Sequence, residues 1–280
     1  MFEITQKIAL NPTVTLMKIK APLIAAKAQP GQFVILRVEM DGERIPLTIA
    51  DFDTVEGTVT IIFQIVGATT LKLNNLEEGQ CLCDFVGPLG KPTELQGLKK
   101  VAVVGGGVGC AIAYPIAKSL HLSGAEVHSI IGFRTKDLVI LEDEFAAVSN
   151  KLLLRTDDGT AGNKGLVTDA LRDLLRSGER YDRVIVIGPL VMMKFVCALT
   201  NEYDVPTIVS MNPVMIDGTG MCGGCRLTVG GEIKFACVDG PDFDGHLVDF
   251  DEAIERASIY KELERHAFDD ACNLMKGADQ

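Results

Sequence analysis

"VAVVGGGVG", residues Val101 to Gly109, decides the fold. Its apolar half is short enough for a buried strand, and the glycines after it make a turn. "CAIAYPIAKSLHLSG" then reads as a helix closed by Gly124. A glycine turn between strand and helix lets a backbone approach a pyrophosphate, and the helix N-terminus favours its negative charge. The strict G-x-G-x-x-G pattern is not met. After Gly105 and Gly107 the third position is Cys110, and "GFRTKD" stands where an acidic ribose-binding residue is expected. On this motif alone, a tight turn without a ligand stays open.

Downstream of the turn the same alternation repeats. The strand "EVHSIIGF" is followed by a helix around "EDEFAAVS", the strand "KLLLRTDD" and the helix "LVTDALRDLLRSG". Then come the strand "RVIVIGP", the helix "VMMKFVCALTNEY" and the strand "TIVSMN". Alternating strands and helices predict an α/β domain with a doubly wound parallel sheet over 98–212. Upstream, "FVILRVEM", "TVTIIFQIV" and "QCLCDFVG" are short β-type runs set apart by turns at Pro30-Gly31, Asp41-Gly42 and Glu78-Gly79. With no helix between them, they predict a small antiparallel β-barrel over 1–97. Residues 213–250 form a short, loop-like segment that carries clustered cysteines, and "DEAIERASIYKELERHAF" predicts a C-terminal helix within 251–280.

The chain has 280 residues, of which 47% are hydrophobic and 23% charged, an ordinary globular composition. Its net charge of −11 speaks against non-specific nucleic-acid binding, since phosphates would find no bulk neutralisation. The N-terminus "MFEITQKIAL" carries Glu3 and Lys7 and lacks the apolar core of a signal peptide. The most apolar run, Val101 to Ala117, is short for a membrane span and is broken by Gly and Pro. A cytoplasmic location is expected. Of the 8 cysteines, Cys81, Cys83, Cys110, Cys197 and Cys272 are scattered, whereas Cys222, Cys225 and Cys237 cluster. One metal site in a reducing compartment accounts for this better than a disulfide framework.

The cluster begins in "DGTGMCGGC", and its spacing is Asp217-x4-Cys222-x2-Cys225-x11-Cys237. With cysteine in place of Asp217, this would be the plant-type [2Fe–2S] spacing. Gly218, Gly220, Gly223 and Gly224 permit a tight loop with backbone N–H groups turned inward. Zinc is the competing metal, although zinc ribbons usually supply a second C-x2-C. A thioredoxin-like pair would open a helix, whereas "MCGGCRLTVGG" runs into a hairpin.

Two further motifs lie upstream, "ERIPLTIAD" at Glu43 to Asp51 and "IVGATT" at Ile65 to Thr70. Arg44 can pair with a phosphate, and Pro46, Leu47 and Thr48 offer a rigid backbone and a hydroxyl to a ring edge. Gly67, Thr69 and Thr70 can cradle a second phosphate through backbone N–H groups. Each is weak alone, because an arginine on a barrel strand is usually a solvated charge. His121, His128, His246 and His266 show no partner spacing. Met192, Met193, Met211, Cys81 and Cys83 read as packing residues.

Taken in this order, the motifs resemble the ferredoxin–NADP⁺ reductase superfamily over essentially the whole chain. The cysteine arm is similar to the branch holding the electron-transfer subunits of bacterial dihydroorotate dehydrogenases. "DGTGMCGGCR" resembles the small subunits of electron-bifurcating NADH-dependent ferredoxin:NADP⁺ oxidoreductases, also described as sulfide dehydrogenase subunits. The resemblance implies FAD at Arg44, Pro46, Leu47 and Thr48, with Gly67, Thr69 and Thr70 as its pyrophosphate loop. It implies NAD(H) at Gly105, Gly107, Val108 and Gly109, with Gly188 and Pro189 of "IGPLVMM" near the nicotinamide. Arg134 and Arg155, near strand ends, keep NADP(H) open. It implies a [2Fe–2S] cluster on Asp217, Cys222, Cys225 and Cys237. The dihydroorotate branch has cysteine where Asp217 stands, and the bifurcating branch has aspartate.

The implied activity is hydride exchange between NAD(H) and FAD, with single electrons passing through the cluster to a larger partner subunit. That partner would carry a second flavin, [4Fe–4S] clusters and the NADP(H) site, and would reach ferredoxin. Hydride transfer needs no general acid or base, so no catalytic side chain is assigned. Two alternatives stand: the electron-transfer subunit of a dihydroorotate dehydrogenase, sulfide dehydrogenase or sulfur reductase, and a non-enzymatic scaffold stabilised by zinc.

Overall fold

The computed structural model describes residues 2–278, with side chains through Asn273. The first half of the chain holds β1 (Phe2–Asn11), β2 (Val14–Lys20), the short α1 (Pro22–Ala25), β3 (Phe33–Arg37), β4 (Arg44–Asp53), β5 (Thr58–Gln64), α2 (Ala68–Asn74), β6 (Cys81–Leu82) and β7 (Asp84–Leu89). These strands form one antiparallel sheet in the order β6-β1-β2-β5-β4-β3-β7. Its two end strands, β6 and β7, are separated only by Cys83 in the chain, so the sheet curls until its edges nearly meet. This is the expected barrel. Val34, Leu36, Ile49, Val59, Ile61 and Phe63 fill it.

The second half follows the alternation read from the sequence: β8 (Lys100–Gly106), α3 (Gly109–Leu122), β9 (Glu126–Phe133), α4 (Glu142–Val148), β10 (Lys151–Thr156), β11 (Asn163–Lys164), α5 (Val167–Arg176), β12 (Arg183–Ile187), α6 (Leu190–Glu202) and β13 (Thr207–Ser210). The strands pair in parallel from β11 to β13, in the order β11-β10-β9-β8-β12-β13. α3 and α4 pack in one core and α5 and α6 in the other, on opposite faces of the sheet, which is the doubly wound arrangement.

The cysteine segment contributes a hairpin, β14 (Arg226–Val229) and β15 (Glu232–Phe235), turning at Gly230-Gly231 as its sequence suggests. A short β16 (Asp242–Asp244) then joins the parallel sheet antiparallel to β13, an element the sequence did not announce. The C-terminus also departs from expectation. The helical run divides into α7 (Phe250–Ser258) and α8 (Lys261–Ala278). α7 packs on α6 and β14, whereas α8 packs on α2 of the barrel, so the chain turns at Ile259-Tyr260 to reach two different surfaces. Among the described residues, no helix is long and apolar enough to cross a membrane.

β3 ties the parts together. Its residues are apolar without alternation, and both of its faces are covered. Val34 and Leu36 point into the barrel, while Phe33 and Ile35 point outward into a core shared with Met215, Cys225 and Cys237. Phe33 is 3% and Ile35 1% exposed. Burial of this kind stabilises by roughly 1.5–3 kcal/mol per large side chain.

A second junction forms at β16. The Thr93 hydroxyl, from the segment leaving the barrel, donates to Asp242 Oδ2 at 2.6 Å, and the Lys91 N–H donates to the Gly240 carbonyl at 2.6 Å. Asp242 Oδ1 is buried without a hydrogen-bond partner among the described residues. Burial raises the Asp242 carboxyl from 3.8 to about 6, against the lowering effect of its hydrogen bonds with Thr93 and Ser210. A folded-state value above the unfolded one means that stability is complete below about pH 4 and is lost as pH rises through 6. Asp242→Asn removes the charge and keeps an acceptor. The variant is expected to melt above the wild type at pH 7.5 and to lose most of that advantage by about pH 4, as followed by thermal unfolding across this range.

Candidate functional site

Chain order in the parallel sheet reverses between β8 and β12, because β8 leads through α3 to β9 on one side while β12 lies on the other. The crevice beyond the strand ends at such a reversal is where ligands bind in open α/β sheets. The glycine turn sits there. Gly107 has φ +55, a left-handed conformation that disfavours a side chain, and its N–H donates to the Gly132 carbonyl at 2.9 Å. Val108 precedes α3, and Gly109 opens it. A Cβ on Gly109 would lie 2.5 Å from the Ile187 carbonyl oxygen and 2.8 Å from Gly188 Cα. A Cβ on Gly188 would lie 3.2 Å from Gly106 Cα. Through Gly106 and Gly109, the turn that also holds Gly105, Gly107 and Val108 is brought up to Gly188 and Pro189, although about eighty residues separate the two segments.

Arg134 follows the end of β9 on the same edge of the sheet and is exposed. Arg155 is drawn away to Asp173 of α5 at 3.7 Å. The sequence reading passed over Gly106 and Gly132, which pack the turn from behind, and took Met192 as a packing residue, which it is. A Cβ on Gly106 would meet Met192 Sδ at 2.4 Å, and one on Gly132 would meet Val167 Cγ1 at 2.4 Å. The available signal was a glycine at the end of an apolar strand in "SIIGF".

On the barrel, β4 pairs with β3 from Arg44 to Thr48 but with β5 only from Ile49 onward. One edge of residues 44–48 is thus left without a neighbouring strand. Pro46, which lacks an N–H, is tolerated at such an edge. Ile45 and Leu47 pack against the barrel core, so Arg44, Pro46 and Thr48 share the outward face. Of the predicted set, Leu47 can offer a ligand only its backbone.

Gly67 precedes α2. The Thr70 hydroxyl accepts from the N–H groups of Val66 and Gly67, both at 3.0 Å, and donates to the Gly67 carbonyl at 2.9 Å. The Thr69 hydroxyl donates to Glu43 Oε2 at 2.8 Å. The first-turn N–H groups of α2 remain for a phosphate. A cleft of about 190 Å³ adjoins this loop, lined in part by Glu39, Asp41, Glu43 and Lys72. It is below the size of a nucleotide pocket and carries the wrong charge for a phosphate.

The cysteine loop falls into two pairs. Cys225 and Cys237 are 1% and 2% exposed, and their sulfurs are 3.2 Å apart. Two thiolates on one tetrahedral metal, with bonds of about 2.3 Å, stand about 3.8 Å apart, so this pair need separate by only about half an ångström to share one. The other pair is Asp217 and Cys222 on the exposed side. Asp217 Oδ1 accepts from the Thr219 N–H at 2.8 Å and Oδ2 from the Cys222 N–H at 3.0 Å. These bonds, the Thr219 N–H foremost, hold the Asp217 carboxyl below the usual carboxylate range. Cys222 Sγ accepts from the Gly224 N–H at 3.5 Å. Burial, with Cys225 alongside, pushes the Cys237 thiol up.

Among the described residues, no three Cys, His, Asp or Glu side chains close on a single point. Two pairs of ligands suit a two-iron cluster better than one tetrahedral zinc. The residues present therefore fit an iron–sulfur cluster, with two thiols on the dry side and a carboxylate and a thiol on the wet side.

The loop also touches the barrel. A Cβ on Gly218, where φ is +76, would lie 2.7 Å from Ile35 Cδ1 and 2.8 Å from Leu89 Cδ1. Arg44 Nε donates to the Ile216 carbonyl at 3.1 Å. Flavin motif and cluster loop are neighbours.

Fold and site together define an electron-transfer oxidoreductase of ferredoxin-reductase-like architecture, a flavoprotein with an iron–sulfur segment. Residues 212–249 match the iron–sulfur cluster binding domain of dihydroorotate dehydrogenase B. The chain is 47% identical over 267 residues to a dihydroorotate dehydrogenase B (NAD⁺) electron transfer subunit homolog of Thermotoga maritima, covering 95% of this chain and 94% of the relative. It belongs to the dihydroorotate dehydrogenase B electron-transfer-subunit family. It also superposes with a TM-score of 0.91 on a chain of the NADH-dependent reduced ferredoxin-NADP oxidoreductase, solved to study flavin-based electron bifurcation. That match is 46% identical and covers 96% of this chain and 97% of the other. The ferredoxin reductase of carbazole 1,9a-dioxygenase, at 20% identity and a TM-score of 0.62, shares the fold over 73% of this chain. These matches agree with the resemblance carried by the motifs, and FAD and a [2Fe–2S] cluster are its cofactors.

The packing at the turn is directly testable. Gly109→Ala drives a methyl into the Ile187 carbonyl, and overpacking of this kind costs about 1–3 kcal/mol. The urea midpoint is expected to fall accordingly, and an unchanged midpoint would contradict this packing.

Proposed function

We propose that the chain is the small subunit of a flavin-based bifurcating NADH-dependent ferredoxin:NADP⁺ oxidoreductase, exchanging hydride with NAD(H) at FAD and single electrons with a larger subunit through its cluster. The observation that carries this is the seating of the cluster loop on β3 and β7, with Gly218 against Ile35 and Leu89, beside the flavin-motif strand β4, whose Arg44 reaches the Ile216 carbonyl.

When bound, FAD takes up a hydride and releases electrons singly, and a [2Fe–2S] cluster carries one electron at a time. The chain's own residues bind and orient. The Arg44 guanidinium and the first turn of α2 hold the flavin phosphates. Pro46 and Thr48 present their outward face to the ring system. Gly105, Gly107, Val108 and Gly109 admit the dinucleotide backbone, and Gly188 and Pro189 floor the nicotinamide end of the same crevice. Exposed Arg134, just past β9, stands on the same edge of the sheet and is the side chain that a 2′-phosphate would meet if NADP(H) bound instead. Asp217 and Cys222 would supply ligands on the solvent side of the cluster, and Cys225 and Cys237 on its buried side.

The exit for electrons lies on the wet side. Met221 beside Cys222 is 87% exposed, and Val214, Ile216 and Val238 of the same segment are exposed apolar side chains. The larger subunit, carrying a second flavin, [4Fe–4S] clusters and the NADP(H) site, docks here and passes electrons on to ferredoxin. The family relationship keeps a second reading alive, the electron-transfer subunit of a dihydroorotate dehydrogenase or of a sulfide dehydrogenase. Asp217 in place of cysteine favours the first reading, and the subunit that co-purifies with the chain discriminates between them.

Purified protein is expected to show flavin and iron–sulfur absorption with iron and sulfide on analysis, whereas a colourless, zinc-containing chain would leave only the scaffold alternative. Steady-state KM should be lower for NADH than for NADPH, and the reverse order would overturn the NAD(H) assignment. Asp217→Cys is expected to keep the cluster and shift its EPR signal and potential, because thiolate replaces an oxygen ligand. An Asp217→Ala variant with unaltered signal and potential would remove Asp217 from the ligand set.

A further inference from the structure

Arg44 stands between two sites. Its Nε holds the carbonyl of Ile216, one residue before Asp217, at 3.1 Å. Nε is the N–H set back from the guanidinium fork, so this bond leaves the two terminal nitrogens for a phosphate. Neither has a partner among the described residues. The contrast with the residue opposite it on β3 is informative. Arg37 pairs with Arg44 in the ladder, but Arg37 Nη2 meets Asp84 Oδ2 at 2.7 Å and its Nη1 donates to the Met40 carbonyl at 2.6 Å. Of two like charges facing each other, Arg37 is neutralised and Arg44 is not.

We propose that Arg44 is a positioning residue that couples flavin occupancy to the order of the cluster loop. The inference rests on the flavin and cluster reading above and adds an energetic link between the two groups. A phosphate on the terminal nitrogens fixes the guanidinium plane. The fixed plane fixes the direction of Nε–H, and with it the Ile216 carbonyl and the approach to Asp217. A long side chain loses its rotamer freedom once and makes both contacts, so the group that binds second meets an arginine already ordered. The result is positive cooperativity without a change of fold, and linkage requires it to be reciprocal.

The test measures FAD dissociation constants for the full chain with its cluster present and after the cluster has been removed by a chelator. Cluster retention is followed by visible circular dichroism with and without FAD. Cluster loading is expected to tighten FAD binding by about fivefold or more, and FAD to slow cluster loss. Arg44→Lys keeps the positive charge and loses the Nε–H and the fork. It should bind FAD more weakly in both states and bring the ratio of the two constants close to one. A residue needed only for flavin affinity would weaken both constants and leave their ratio unchanged. The proposal is overturned by a wild-type ratio of one, or by an Arg44→Lys ratio equal to that of the wild type. If Arg44→Lys does not fold, Arg44→Gln, which also lacks the Nε–H and the fork, takes its place, and the same comparison of ratios decides. Failure of the chain to take up flavin or iron at all would instead overturn the cofactor reading, and that outcome is distinguishable from loss of coupling.

Discussion

Strand β3 carries Val34 and Leu36 into the barrel and Phe33 and Ile35 out against the cysteine arm, and the relation between the candidate cofactor sites depends on that double burial. A barrel strand normally leaves one face to water. Here the outer face is covered by the segment that holds Cys225 and Cys237, so the arm is part of the same hydrophobic core rather than an appendage. The close approach of Gly218 to Ile35 and Leu89 follows from this packing, since any larger residue would lift the loop from the strand. The loop is thereby kept beside the outward face of β4, where Arg44, Pro46 and Thr48 lie.

The ligand set has the same asymmetry. Cys225 and Cys237 lie in the core, where burial holds Cys237 toward the neutral thiol, and Asp217 and Cys222 lie at the surface, where backbone N–H groups favour the Asp217 carboxylate. Loading a metal must therefore displace a proton from Cys237. The parallel sheet is polarised as well. The crevice between β8 and β12 is lined by glycines and bare backbone. At the opposite ends of the strands, Lys100 bonds to Glu126 and Glu179, and His128 bonds to Tyr181, in a network with no access to the crevice. Burial lowers the His128 value and raises that of Tyr181, as expected of neutral groups that hold a sheet together.

Much of this was legible in the chain because strand and helix periods are local. "EVHSIIGF" became β9 at its full length, and the turn after "VAVV" lies at the reversal of strand order. Other features could not be read locally. Leu47 belongs to the flavin motif by spacing, yet its side chain faces the barrel core, because the pleat alternates and the pattern "RIPLT" does not say which face is inside. The C-terminal run looked like one helix, since no Pro or Gly interrupts it. It divides because its two halves dock on different domains. Gly106 and Gly132 escaped notice because their partners, Met192 and Val167, are distant in sequence.

The sequence by itself determined the order of barrel, parallel sheet and cysteine arm, and the chemistry of the donors: one carboxylate, three thiols, an arginine and glycines at a strand end. Those are properties of residue type and spacing. Only the tertiary structure decided that the donors fall into a buried and an exposed pair, that Gly188 and Pro189 close on the glycine turn, and that Arg44 reaches the cluster loop through Ile216. Each of these is a contact between segments far apart in the chain, and such contacts are set by which faces are buried together, which no local pattern records.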